Sequence, residues 1–178
     1  NLYGLVNLLY EGFDIWKSVY LIKSFNIKVN NNKFISFLFD YISKTNYSID
    51  FLDKVKDYVN FNIDPNTLID FGYKKLEKAQ SPADVFCGKD ILKRAKEMGA
   101  QIEPNKVKIE NINKSFSTAW NGRELVDRKS YFNDELNKIS SQKDKEKMRK
   151  YFEKGDEEIK EVVSDLNKLG IYVSFSSL

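Results

Sequence analysis

Glu124-Leu-Val-Asp127-Arg-Lys129 is the segment whose side chains could do chemistry: two carboxylates followed by a lysine, the last two separated by one residue. Carboxylates in such a set hold Mg²⁺ through their oxygens, and a lysine beside them positions an attacking water or stabilises charge on a phosphate. Glu124, Asp127 and Lys129 are therefore the catalytic candidates, with Glu124 and Asp127 as metal ligands and Glu103 or Glu110 as a third. The condition is geometric. Asp127 and Lys129 share a face only if the segment is extended, whereas on a helix they stand about 200° apart around the axis.

Asp84, Cys87, Lys89 and Asp90 form a second polar group. Cys87 close to a helix N-terminus could serve as a nucleophile, but beside Phe86 on an apolar face it reads better as a small buried side chain. Composition removes much else. The chain of 178 residues has no histidine and one cysteine, which excludes an internal disulfide, the usual Cys/His zinc sites and the histidine-dependent triads. No glycine-rich phosphate loop, dinucleotide fingerprint or EF-hand loop occurs. No cofactor is expected, with Mg²⁺ as the alternative if the carboxylates are catalytic.

The elements that must position these residues are organised around Ser81 to Pro104. Ser81-Pro82-Ala83-Asp84 predicts a helix start, with serine as the cap, proline in the first turn and a carboxylate at the positive dipole end. Lys93, Arg94 and Lys96 followed by Gly99 predict its end, while Gly88 inside it costs about 1 kcal/mol against alanine and could break it. After Gly99, Val107-Lys-Ile-Glu110 alternates apolar with charged; after Gly170, Ile171-Tyr-Val-Ser-Phe175 does the same. These two helix–Gly–strand units predict a small sheet in which 101–110 pairs with 171–176.

Sixteen of the 25 aromatic residues (13 Phe, 10 Tyr, 2 Trp) fall in the first 80 positions, which predicts an aromatic-rich helical region over 1–80. Leu2 to Ile22 is apolar enough to suggest a membrane span, but Glu11, Asp14 and Lys17 interrupt it; it reads as an amphipathic helix with Trp16 and Tyr20 on the core side and Ser18 on the polar side. Helices should follow over Phe34–Ile42, from Phe51, and from Asp64-Pro65. In the second region, 81–178, Asn121-Gly122 predicts a turn with Trp120 as its buried anchor. From Ser130 to Leu169 sparse apolar positions predict two or three exposed helices, broken at Ser141-Gln142 and again at Gly155-Asp156, where Asp156 would cap a new helix. The fold class is mainly α: a bundle of about seven helices with a small two-stranded sheet, forming one compact domain.

Net charge is only +3, and the basic run Lys143 to Lys150 is interleaved with Asp144 and Glu146. A solvated helix face explains that run better than a nucleic-acid contact through Lys143, Lys147 and Lys150. The leading functional expectation is a helical interaction module, a fragment of a larger host-interacting or phage-like protein since the chain begins at Asn1, that binds a protein partner through Trp16, Trp120 or neighbouring rings. A metal-dependent nuclease or phosphodiesterase effector, toxin-like and using Glu124, Asp127 and Lys129, is the alternative. Nucleic acid is a less favoured partner, no membrane span is expected, and no compartment is assigned beyond a soluble, disulfide-free protein.

Overall fold

The computed structural model describes residues 15–45 and 49–178. Among them are eight α-helices and one two-stranded antiparallel sheet, a mainly α fold with a minor sheet. The chain divides into two compact units, Asn1–Thr67 and Leu68–Leu178. The division falls where packing of the second core begins. Residues 68–77 already carry Leu68, Ile69, Gly72, Tyr73 and Leu76 into the core of the second unit.

In the first unit, α1 (Ile15–Ser24), α2 (Asn31–Thr45) and α3 (Phe51–Lys56) surround a core of rings and branched aliphatics. Trp16 meets Phe51 and Tyr58 edge-on at 5.5 and 6.0 Å, and Phe34 meets Phe61 at 5.2 Å. These geometries add about 0.5–1.5 kcal/mol per pair beyond area burial. The Asn31 side chain both donates to Asn62 O and accepts from Asn62 N–H, at 2.8 and 2.9 Å, which pins the loop before α4 (Pro65–Glu77). The predicted inner face of α1 is corrected: Ile15, Ser18, Val19 and Ile22 are buried, Trp16 is half-buried, and Tyr20 is 57% exposed. A small hydroxyl on the inside lets the helix approach, and Tyr20 instead lies against Tyr58 at the rim. The expectations for Leu2 to Asp14 lie outside the described residues.

The second unit is built on α5 (Pro82–Glu97), which packs against both α6 (Ile109–Phe116) and α8 (Gln142–Lys168). Its ends fall where Ser81 and Gly99 predict, with Gly99 at φ +98°, although Ser81 is buried and makes no side-chain cap hydrogen bond. Gly88 does not break α5. A Cβ there would lie 2.6 Å from Leu76 Cδ2, and one at Gly72 would lie 2.6 Å from Leu92 Cδ2, so the two glycines let α4 and α5 close on each other. That packing outweighs the propensity cost of each.

The sheet exists, but not where the alternation placed it. It is the hairpin of β1 (Thr118–Trp120) and β2 (Leu125–Asp127), with Thr118 opposite Asp127 and Trp120 opposite Leu125. Gly122, at φ +98°, takes the first central position of its two-residue turn. The expected strand over 101–110 instead contains a 3₁₀ turn at Pro104–Lys106 and the start of α6, and the segment 171–178 forms no strand. The residue just before the second segment does come close to the first, since a Cβ on Gly170 would lie 3.0 Å from Pro104 Cγ. Side chains take backbone N–H groups within the two segments and just after the second. Tyr73 Oη accepts from Glu103 N–H at 2.6 Å, Asn113 Oδ1 from Ser174 N–H at 2.9 Å, and Asp156 Oδ2 from Leu178 N–H at 3.0 Å.

After β2 the chain enters α7 (Arg128–Lys138) and then α8, a single helix of 27 residues capped by Ser141. The break predicted at Gly155-Asp156 is absent. Phe152, Asp156, Ile159, Val162 and Leu166 form one buried stripe along α8, and Asp156 lies within it, not at a helix start. Among the described residues no helix is long and apolar enough to cross a membrane.

Candidate functional site

The polar centre of the second unit is Arg128, 7% exposed, the residue between the catalytic candidates Asp127 and Lys129. Asp127 ends β2 and caps α7, so Arg128 is the first helical residue, and its N–H donates to Ser117 O at 2.8 Å. From there its guanidinium crosses to α8. Nη1 pairs with Asp156 Oδ1, Nη2 donates to Phe152 O at 3.1 Å, and a Cβ at Gly155 would lie 3.1 Å from Nη2. Gly155 is therefore the gap through which the arginine reaches the helix backbone. Asp156 Oδ1 has that ion pair and takes no other hydrogen bond among the described residues.

Arg128 and Phe152 form the floor of an open groove of about 760 Å³ between β1 and α8. Phe152 lies 4.6 Å from Phe132 and 5.7 Å from Tyr151, and the Arg128 guanidinium sits 5.8 Å from its ring centre. The groove is also lined by Trp120, 53% exposed, and Tyr151, 72% exposed, together with Met148 and Tyr131. Lys147 and Lys154 edge the groove on the α8 side. Lys147 pairs with Asp144 at 3.4 Å, while Lys154 has no carboxylate partner among the described residues. The volume suits a few side chains of a ligand, and rings that present one wet and one dry face suit recognition more than core packing.

Trp120 and Lys147 are thus brought together by the structure, but Trp120 is not the buried anchor of its turn. The turn is closed by polar groups instead: Asn121 N–H donates to Glu124 O, and Asn121 Oδ1 accepts from Glu124 N–H. Lys143 and Lys150 are exposed on α8 outside the groove, and Trp16 belongs to the first unit. Tyr151, Arg128 and Tyr131 were not singled out from sequence. The readable signal was Tyr151-Phe152 on α8, where one ring continues the buried stripe and its neighbour must point away from it.

Glu124, Asp127 and Lys129 do not form the extended acidic–x–lysine geometry, because the strand ends at Asp127 and the helix begins at Arg128. Glu124 and Asp127 line a separate hollow of about 490 Å³ with Asp134 and Glu135, and Lys129 lies outside it. The Ser130 backbone N–H, at 2.8 Å, and then its side chain hold the Asp127 carboxyl below the usual carboxylate range. Among the described residues no three acidic or cysteine side chains gather as a metal-holding group. Cys87 is buried in α5, and burial pushes its thiol up to about 11, which keeps it protonated and unreactive at neutral pH.

Comparison with known proteins returned no match to a family model, a curated protein or a solved structure.

Proposed function

We propose that the second unit is a protein-recognition module whose groove between β1 and α8 takes a peptide segment of a partner. The observation that supports this is the exposed pair Trp120 and Tyr151 lining the same groove as the buried Phe152 and Arg128. Tryptophan, tyrosine and arginine dominate the energetics of protein interfaces, especially where aromatic side chains surround a dry centre with a charged rim. Tyr151 contributes little packing to its own fold at that exposure, so its replacement reads binding with little effect on stability.

The test is quantitative binding of the partner that co-purifies from native extract, for wild type, Tyr151→Ala, Trp120→Ala and the distant control Lys160→Gln. Losses of about tenfold or more in both aromatic variants, with the control unchanged, support the reading. Equal binding by all four would sink it. A labelled single-stranded oligonucleotide serves as the competing ligand, because stacking on Trp120 and Tyr151 beside Lys147 and Lys154 would bind it with strong salt dependence. Tight, salt-sensitive binding lost in Tyr151→Ala would move nucleic acid ahead of protein. The hydrolytic alternative, Mg²⁺-dependent phosphodiester cleavage through Glu124, Asp127 and Lys129, is dropped if Mg²⁺ and Mn²⁺ produce no cleavage of plasmid DNA or RNA.

A further inference from the structure

The bonds flanking the hairpin define which backbone groups of β1 are spoken for. Asn121 N–H donates to Glu124 O at 3.1 Å and Arg128 N–H to Ser117 O at 2.8 Å, so 117/128, 119/126 and 121/124 are the hydrogen-bonded pairs of the ladder. Thr118 and Trp120 occupy the intervening positions, and their N–H and C=O groups point away from β2 along the free edge of β1. Neither residue gives its backbone groups to another partner among the described residues. The groove is lined by all three residues of β1 and by none of β2, which places it along that free edge. The strand is also held in place: Thr118 Oγ1 donates to Gln80 O and Ser115 O at 2.6 and 2.9 Å.

We infer that the groove's occupant is an extended peptide that adds as a third strand to the free edge of β1, with apolar residues at alternate positions and an acidic residue opposite Lys154. This rests on the reading of the groove as a peptide site and supplies its binding mode. A helical peptide keeps its own backbone groups bonded and would cover the N–H and C=O of Thr118 and Trp120 without satisfying them, at a cost of about 1–3 kcal/mol for each group buried. A strand satisfies them, and its side-chain period of two drops every second residue toward Phe152, Met148 and Tyr151. Lys154 supplies the positive charge, since it is the groove lysine without a carboxylate at ion-pair distance among the described residues, Glu158 lining the same groove one turn further along α8.

The probe is a set of short peptides selected from a phage-displayed random library on the full chain, then synthesised with single backbone N-methyl groups at each position in turn. Methylation removes one N–H donor without changing the side chain. Loss of about tenfold or more at every second residue, with the intervening positions tolerant, is the expected result, as is slowed amide exchange at Trp120 in the complex. On the protein side, Trp120→Pro should bind more weakly than Trp120→Ala, because proline deletes the outward N–H at a position where an edge strand tolerates it. Lys154→Gln should erase the preference for an acidic residue. Selected peptides that need Tyr151 but show no alternation on methylation, or that bind as helices, overturn the strand mode and leave the groove reading standing. Selected peptides indifferent to Tyr151→Ala overturn the groove reading itself. Self-association of the chain through β1, abolished by Trp120→Pro, would overturn the inference in favour of a second copy as the occupant.

Discussion

Arg128 at the start of α7 and Asp156 in the middle of α8 form an ion pair with side chains only 8% and 9% exposed. Such a pair is not a large net source of stability, since the desolvation cost of both ions offsets most of their attraction. It is a strong constraint, because neither member can be removed without stranding the other. Asp156→Leu or Arg128→Met should each cost about 3–5 kcal/mol in urea denaturation, and the double variant Arg128→Met/Asp156→Leu should recover most of that loss. Additive losses in the double variant would show that the two side chains act independently.

Gly155→Ala should be destabilising in the wild-type chain and stabilising once Arg128 is gone. Alanine gains about 1 kcal/mol of helix propensity over glycine, but its Cβ would press on an Arg128 Nη2 that is tethered to Phe152 O and cannot swing aside. In the Arg128→Met background the obstruction disappears and the propensity gain of about 1 kcal/mol should be recovered. The same sign in both backgrounds would mean that the arginine does not dictate the glycine.

Lys89 connects α5 to α8, lying 2.6 Å from Asp90 and 3.3 Å from Asp165. Burial alone would pull the lysine down and Asp165 up. Hydrogen bonds and charge outweigh burial in both: Asp90 first and then Asp165 raise Lys89, and Lys89 lowers Asp165. The depressed carboxyl contributes stability above its unfolded value of about 4, and this is lost as pH falls through its folded value. The raised lysine contributes stability below its unfolded value of about 10.4, lost as pH rises through its folded value. Urea midpoints of Lys89→Met should therefore approach wild type at both extremes and differ most between pH 5 and about 10. A constant offset across pH would rule out the linkage.

Asp127 separates a structural role from a chemical one. As the α7 cap, its carboxylate accepts from Ser130 N–H, a bond that asparagine reproduces and alanine does not. Asp127→Asn should keep the melting temperature and Asp127→Ala should lower it. Because the carboxyl is held below its usual range, chiefly by that N–H, its contribution is present above about pH 4 and fades as pH falls through the folded value. Equal melting temperatures for the aspartate and both variants would show that the cap does not matter.

Helix boundaries were legible wherever a local device sets them. Ser81-Pro82 and Gly99 bracket α5, Asp64 Oδ1 accepts from Asn66 N–H at the start of α4, and Ser141 caps α8. Caps, proline and positive-φ glycine act on their own neighbours, so their meaning survives any tertiary context. The mainly α class followed from the same signals. Three other features depended on residues far away in sequence. The alternation at 171–175 went unused as strand, its Ser174 N–H going to the distant Asn113 side chain, while that at 107–110 gave way to the start of α6 at Ile109. Gly155 reads as a helix breaker until Arg128 is laid across it. Trp120 reads as a buried anchor until β1 is set beside α8, where its ring stays half in water. Periodicity reports which face of an element is apolar, but not which distant group will meet it, and the groove is made entirely of such meetings.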